Sequence, residues 1–193
     1  SEQMTKWVKP FVLVIVLTLF LAGCSALEKE RSVLVIGDER EWEDSPIAWT
    51  NQLENNKTFE IKKEEVDGKK IVYMSRQMAD ILIDERLLRV KTDEKYKKWR
   101  RIDSQRPLLS FAESESVLPE EIRVTTSYSG DLAIGDERFD YADVVIIADV
   151  ESFEDLDLET RSLALLQFKE ERLAQLFTHF EDDIAIEAFK VVN

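Results

Sequence analysis

Apolar residues fall into two kinds of run along this chain. Phe11 to Ala22 is almost continuous, broken only by Thr18. The later runs are short, rich in valine and isoleucine, and bounded by glycine, aspartate or proline. Runs of that length and composition predict strands. They are Ser32 to Asp38, Pro107 to Ala112, Ala142 to Asp149, and Ile184 to Val192, where Ile184, Ile186 and Ala188 alternate. Thr58 to Val66 alternates around Phe59 and Ile61. Asp67-Gly68 then either closes a hairpin onto Lys70 to Met74 or breaks the pattern, since both residue types accept a left-handed backbone. Ser129-Gly130-Asp131 predicts a further turn.

Helical signals lie between these runs. Ser45-Pro46 has the form of an N-cap with proline at the first helical position, and Ile47, Trp49 and Leu53 give a short apolar side before Asn55-Asn56 stop it. Ser75 to Asp84 supports two readings. One is a helix capped by Ser75 with Met74, Met78, Ile81 and Leu82 on one side; the other is a buried strand from Ala79 to Asp84. We favour the strand, because its shape recurs in Ala142 to Asp149. Thr92 to Ile102, with Tyr96, Trp99 and five Lys/Arg from Lys95 to Arg101, predicts an exposed basic helix. Asp157 to Phe180 predicts the longest helix: Leu163, Leu166, Leu173, Phe177 and Phe180 share one side, widened by Leu165, Phe168 and Leu176.

Valine- and isoleucine-rich strands alternating with helices argue an α/β fold, a single three-layer domain with a mostly parallel sheet. The alternative is α+β with hairpins, which follows if Asp67-Gly68 and Gly130-Asp131 are hairpin turns. Ile134-Gly135-Asp136-Glu137-Arg138 repeats Ile36-Gly37-Asp38-Glu39-Arg40 letter for letter, but the flanks do not match over whole units, so no duplication follows.

The continuous run has its own meaning. Lys6 and Lys9 precede it, its length suits a secretory signal rather than a bilayer span, and it ends on Leu21-Ala22-Gly23-Cys24. This stretch resembles the lipobox of bacterial lipoproteins. The resemblance implies cleavage between Gly23 and Cys24 and a diacylglyceryl group, with palmitate-type acylation, on Cys24. The chain then divides into residues 1–3, an expression remnant or mis-set start; 4–23, a signal peptide; 24–31, a lipidated tether; and 32–193, one globular domain. The tether spans at most about 25 Å, so the domain stays close to the membrane. Cys24 is the single cysteine, so folding rests on packing rather than on a disulfide.

Charge narrows the partners. The net charge of −14 becomes −15 once Glu2, Lys6 and Lys9 leave with residues 1–23. An acidic protein of this kind repels phosphate backbones and anionic headgroups, which disfavours nucleic acid and leaves the lipid on Cys24 as the membrane anchor. No Walker loop or Gly-x-Gly-x-x-Gly occurs among the five glycines, and no cofactor is expected.

Candidate chemistry is sparse. His179 is the single histidine, placed at the end of the last expected helix, where the helix dipole favours a cation. Val33 to Asp38, with Val144 to Ile147, resembles the SGNH (GDSL-type) hydrolases. Glu39 stands at the position of their serine, and Leu176 rather than aspartate lies three residues before His179, so their mechanism does not carry over. Asp38 and Glu39 after one strand, with Asp84 after another, are similar to receiver-like α/β domains, which implies topology only. The acids from Asp149 to Glu159 lack the glycine and spacing of an EF-hand and suit a solvated turn ahead of a helix. The basic island with Trp99 is a candidate docking face for an acidic partner or a solvated helix side.

Asp38, Asp84 and Asp149 each end a strand-like run. In a parallel sheet those ends share a rim, where three carboxylates would suit a hard divalent cation or a cationic ligand. Aspartate is also an ordinary capping or turn residue there. The expected function is a membrane-anchored, extracytoplasmic lipoprotein acting as a non-enzymatic binding or accessory component of the cell envelope, with an envelope protein as possible partner. The alternative is a divalent-metal-assisted hydrolase acting through the strand-end carboxylates.

Overall fold

Strand pairing decides most of this chain. The computed structural model describes residues 32–37, 53–91, 93–99, 108–135, 137–170, 172 and 186–192. β1 (Ser32–Gly37) is followed by the hairpin of β2 (Leu53–Val66) and β3 (Lys69–Ser75), then by α1 (Arg76–Asp84). Next come β4 (Leu88–Lys91), β5 (Tyr96–Lys98), β6 (Leu108–Ala112), a 3-10 turn (Glu115–Val117) and α2 (Glu120–Thr125). β7 (Ser127–Tyr128), β8 (Asp131–Ile134), β9 (Glu137–Arg138), β10 (Val144–Ala148), α3 (Val150–Glu154), β11 (Glu159–Phe168) and β12 (Ile186–Val192) complete the order.

Eight strands form one sheet in the order β12-β1-β11-β2-β3-β10-β6-β7, and four form a second, β5-β4-β8-β9. Only β3 with β10 and β6 with β7 run parallel among the described strands. The expected α/β fold, a three-layer domain with a mostly parallel sheet, is therefore corrected. The molecule is mostly β, with mixed sheets dominated by antiparallel pairs. A parallel sheet needs a long crossover after each strand, usually a helix. Here the described helices are short, and neighbouring strands mostly return antiparallel.

Asp67 and Gly68 both take positive φ, 51° and 73°, as a two-residue turn requires, and they close β2 onto β3. Ser129-Gly130-Asp131 turns the chain from β7 in the large sheet to β8 in the small one, making a corner rather than a hairpin.

Three local expectations are corrected. Asp157 to Phe180 is not a helix over its described first half: β11 runs from Glu159 to Phe168, between β1 and β2. Ser162 to Leu166 is buried at every position, so apolar residues on both faces imitate a wide helical side. Leu173, Leu176, Phe177 and Phe180 lie outside the described residues. Ala79 to Asp84 belongs to α1 rather than to a strand: Ser75 Oγ accepts the Met78 N–H at 3.1 Å, and Met78, Ala79 and Leu82 are buried together. Over its described part the basic run is no helix either, since Tyr96–Lys98 is β5, paired with β4. The helix expected after Ser45-Pro46 lies outside the described residues.

One face of the large sheet presents Leu34, Ile61, Met74, Phe111, Ile147 and Leu163 to α1 and to the small sheet, which adds Leu88, Leu132 and Ile134. On the other face Ile71, Val144 and Ile146 pack under Leu118 and Ile122, which cover β3, β10 and β6.

Candidate functional site

The parallel pair positions a concave region at its strand ends. β3 and β10 run in register from Ile71 beside Val144 to Ser75 beside Ala148, so both end at one rim. Ser75 there caps α1, and Asp149 caps α3. Asp149 Oδ1 accepts the Ser152 N–H at 2.8 Å and Oδ2 accepts the Ser152 hydroxyl at 3.0 Å. These bonds, the backbone one first, hold the Asp149 carboxyl below the usual carboxylate range.

Of the three expected carboxylates, Asp84 and Asp149 are described, and they stand apart. Asp38 lies outside the described residues. Asp84 is exposed at the far end of α1, which sets it about 13 Å along the helix from the rim that Asp149 occupies. Among the described residues no group of three or more His, Cys, Asp or Glu is placed to hold a metal ion.

A cleft of about 410 Å³ lies at the rim, between α1, α3 and β2. Phe59, Met78, Ile81 and Phe153 give it apolar walls, and Glu60 and Glu154 give it two exposed carboxylates. α3 is seated there by Lys62, only 6% exposed, whose Nζ donates to the Phe153 and Leu156 carbonyls at 2.7 and 2.8 Å. The ammonium also lies 4.7 Å from the centre of the Phe153 ring. A helix C-terminus leaves carbonyls without partners, and this lysine supplies both donors and a cation there. A larger cleft of about 480 Å³ beside the hairpin is lined by charges of both signs, with Lys63 4.0 Å from Glu159. It lies away from the strand ends where an open sheet receives ligands, so the smaller cleft is the candidate site.

The cleft residues went unnoticed in the sequence, yet a signal was present. If Ser75 caps a helix, β3 stops seven residues after the hairpin while β2 runs on for fourteen, and the overhang marks the site.

The basic island is divided. Lys95, Lys97 and Lys98 are exposed, but Trp99 packs edge-on against Phe111 with ring centres 5.4 Å apart, and its backbone N–H donates to the Leu88 carbonyl. Tyr96 donates its hydroxyl to Asp131 Oδ2 at 2.6 Å. Cys24 and His179 lie outside the described residues.

Two phenols give the fold a pH response. Burial and a hydrogen bond to a carboxylate, Glu64 for Tyr73 and Asp131 for Tyr96, push both well above their ordinary value of 10.0. A raised phenol pKa leaves stability intact below pH 10 and erodes it as pH rises further, because the unfolded chain ionises first. Denaturant midpoints measured from pH 8 to pH 11 should fall above pH 10, and the doubly substituted Tyr73→Phe, Tyr96→Phe protein should show a flatter decline.

A model of an uncharacterised lipoprotein family matches residues 31–192. A crystal structure from Bacillus anthracis, described as a candidate lipoprotein, shares the fold with a TM-score of 0.71 at 20% identity, over 84% of this chain and 98% of that one. No curated protein matches the chain.

Proposed function

The chain belongs to that uncharacterised lipoprotein family, and from this premise we propose that a lipid on Cys24 holds its β domain at the extracytoplasmic face of the cell membrane. There it binds or assists another envelope component. The observation that carries the reading is the junction of the two features: Leu21-Ala22-Gly23-Cys24 ends a signal-like apolar run, and the family match begins seven residues later. Two acyl chains anchor a protein stably where one does not, and the acidic domain offers no electrostatic substitute for them. The cleft supports binding: it joins apolar walls to a few polar groups, the usual make-up of a recognition site.

Cys24→Ala tests the anchor. The parent should incorporate labelled fatty acid and stay with the membrane fraction in high salt. The variant should lose the label and, once its signal peptide is removed, become soluble. A processed Cys24→Ala protein that still sediments with membranes in high salt would overturn the anchor.

A further inference from the structure

β2 is longer than the strand it meets. β3 pairs only with Lys62 to Val66, because Ser75 ends it in a helix cap. From Asn55 to Ile61, β2 is bonded to β11 on one side, and among the described residues no strand lies on the other. Asn55, Asn56, Thr58 and Glu60 are exposed. An edge of this kind is a template for another strand, and proteins usually blunt or cover one.

The surroundings say what would fit. Ile61 shares a core with α1 on one face of β2, and Lys62 holds α3 on the opposite face, so the two helices flank the edge and the 410 Å³ cleft opens onto it. Its polar lining carries two carboxylates, Glu60 and Glu154, and no lysine or arginine. Phe59, Met78, Ile81 and the exposed Val150 supply apolar contacts beside them. Main-chain bonds to β2 would give affinity, and alternate side chains entering the cleft would give selectivity. We propose that this edge receives an extended segment of a partner protein, carrying basic and apolar residues, as an added strand beside β2 in line with β3. This deepens the binding role proposed above and rests on it. The peptide titration below and the Cys24→Ala fractionation can each fail without the other.

The probe is a fluorescent decapeptide of alternating lysine and valine, with a glutamate–valine decapeptide as control, titrated into the full chain in detergent at physiological salt. The lysine peptide should bind saturably, the glutamate peptide at least tenfold more weakly, and amide hydrogen exchange at residues 55–60 should slow at least tenfold on binding. Glu60→Lys combined with Glu154→Lys should weaken binding at least tenfold. Gln77→Trp, at an exposed position in the cleft, should do so by obstruction. The proposal is overturned if neither peptide saturates, or if the lysine peptide binds without protecting residues 55–60. Binding indifferent to both sets of substitutions, which would mark a general attraction to an acidic chain, overturns it as well. So does peptide-independent protection that grows with protein concentration, since the occupant would then be a second copy.

Discussion

Gly130→Ala should destabilise the protein by about 3 to 5 kcal/mol, seen as a fall in the denaturant midpoint of the full chain and a drop of roughly 10 °C in Tm. Gly130 is buried at the corner where the chain leaves the large sheet for the small one, and its φ is +106°, a conformation that side chains rarely adopt. A methyl group there would stand 2.4 Å from the Lys91 carbonyl oxygen, which belongs to β4 and cannot swing aside as a side chain end can. The Gly130 carbonyl also accepts the Ala112 N–H at 3.0 Å, so a shift of this residue disturbs β6 as well. Gly68→Ala is the control. It too has positive φ, +73°, but a methyl group there meets nothing within 4 Å, so only backbone strain of about 1 kcal/mol remains. Equal losses at the two positions would remove the close approach as the cause.

The next residue should matter nearly as much. Asp131 is 6% exposed, and three donors make four contacts with its carboxylate: the Tyr96 hydroxyl at 2.6 Å, the Leu132 N–H at 3.0 Å, and Arg138 Nε at 3.0 Å to one oxygen and 3.2 Å to the other. The carboxylate thereby ties β5, β8 and β9 together. Asp131→Ala strands a partly buried guanidinium and a partly buried phenol, and should cost about 3 kcal/mol. Arg138→Met should cost less, because its side chain is 30% exposed against 9% for that of Asp131. The double substitution should recover about 1 kcal/mol or more of the summed losses, measured as the coupling in a double-mutant cycle by chemical denaturation. Strict additivity would mean that the pair acts as two separate surface charges.

The sequence carried the local signals well where one face of a strand differs from the other or where a turn needs special residues. Thr58 to Val66 and Asp67-Gly68 are of that kind, and the hairpin stands there. It misled where burial is two-sided. β11 lies inside the sheet, so Ser162 to Leu166 shows no alternation, and Leu163, Leu166 and Leu173 fall at helical spacing by coincidence of composition. Ala79 to Ile83 shows the opposite error, since isoleucines beside a buried leucine look like a strand until the Ser75 cap is given its weight. The parallel sheet was inferred from alternation of strands with helices. Whether two strands run together or opposed depends on pairing partners far apart in sequence, which no local pattern contains. The same limit applies to the candidate cleft: Asp149 stands out on its own, but Glu60 and Glu154 lie 94 positions apart and are brought together only by the pairing of β2 with β11 and β3 with β10.

β1 has a place in the sheet that bears on mechanics. It lies between β11 and β12, antiparallel to both; all six of its residues pair on each side, with one register shift between Ile36 and Gly37 against β12. If a lipid on Cys24 holds the chain as proposed, a tug from the membrane reaches the described domain first at Ser32, the start of this strand. The bonds of both ladders then share the load and must give way together. Force applied at the Asp67-Gly68 turn would instead peel β2 from β3 one pair at a time. The proposed tether would therefore load the domain at a strand held on both sides, which resists shear better than a hairpin end.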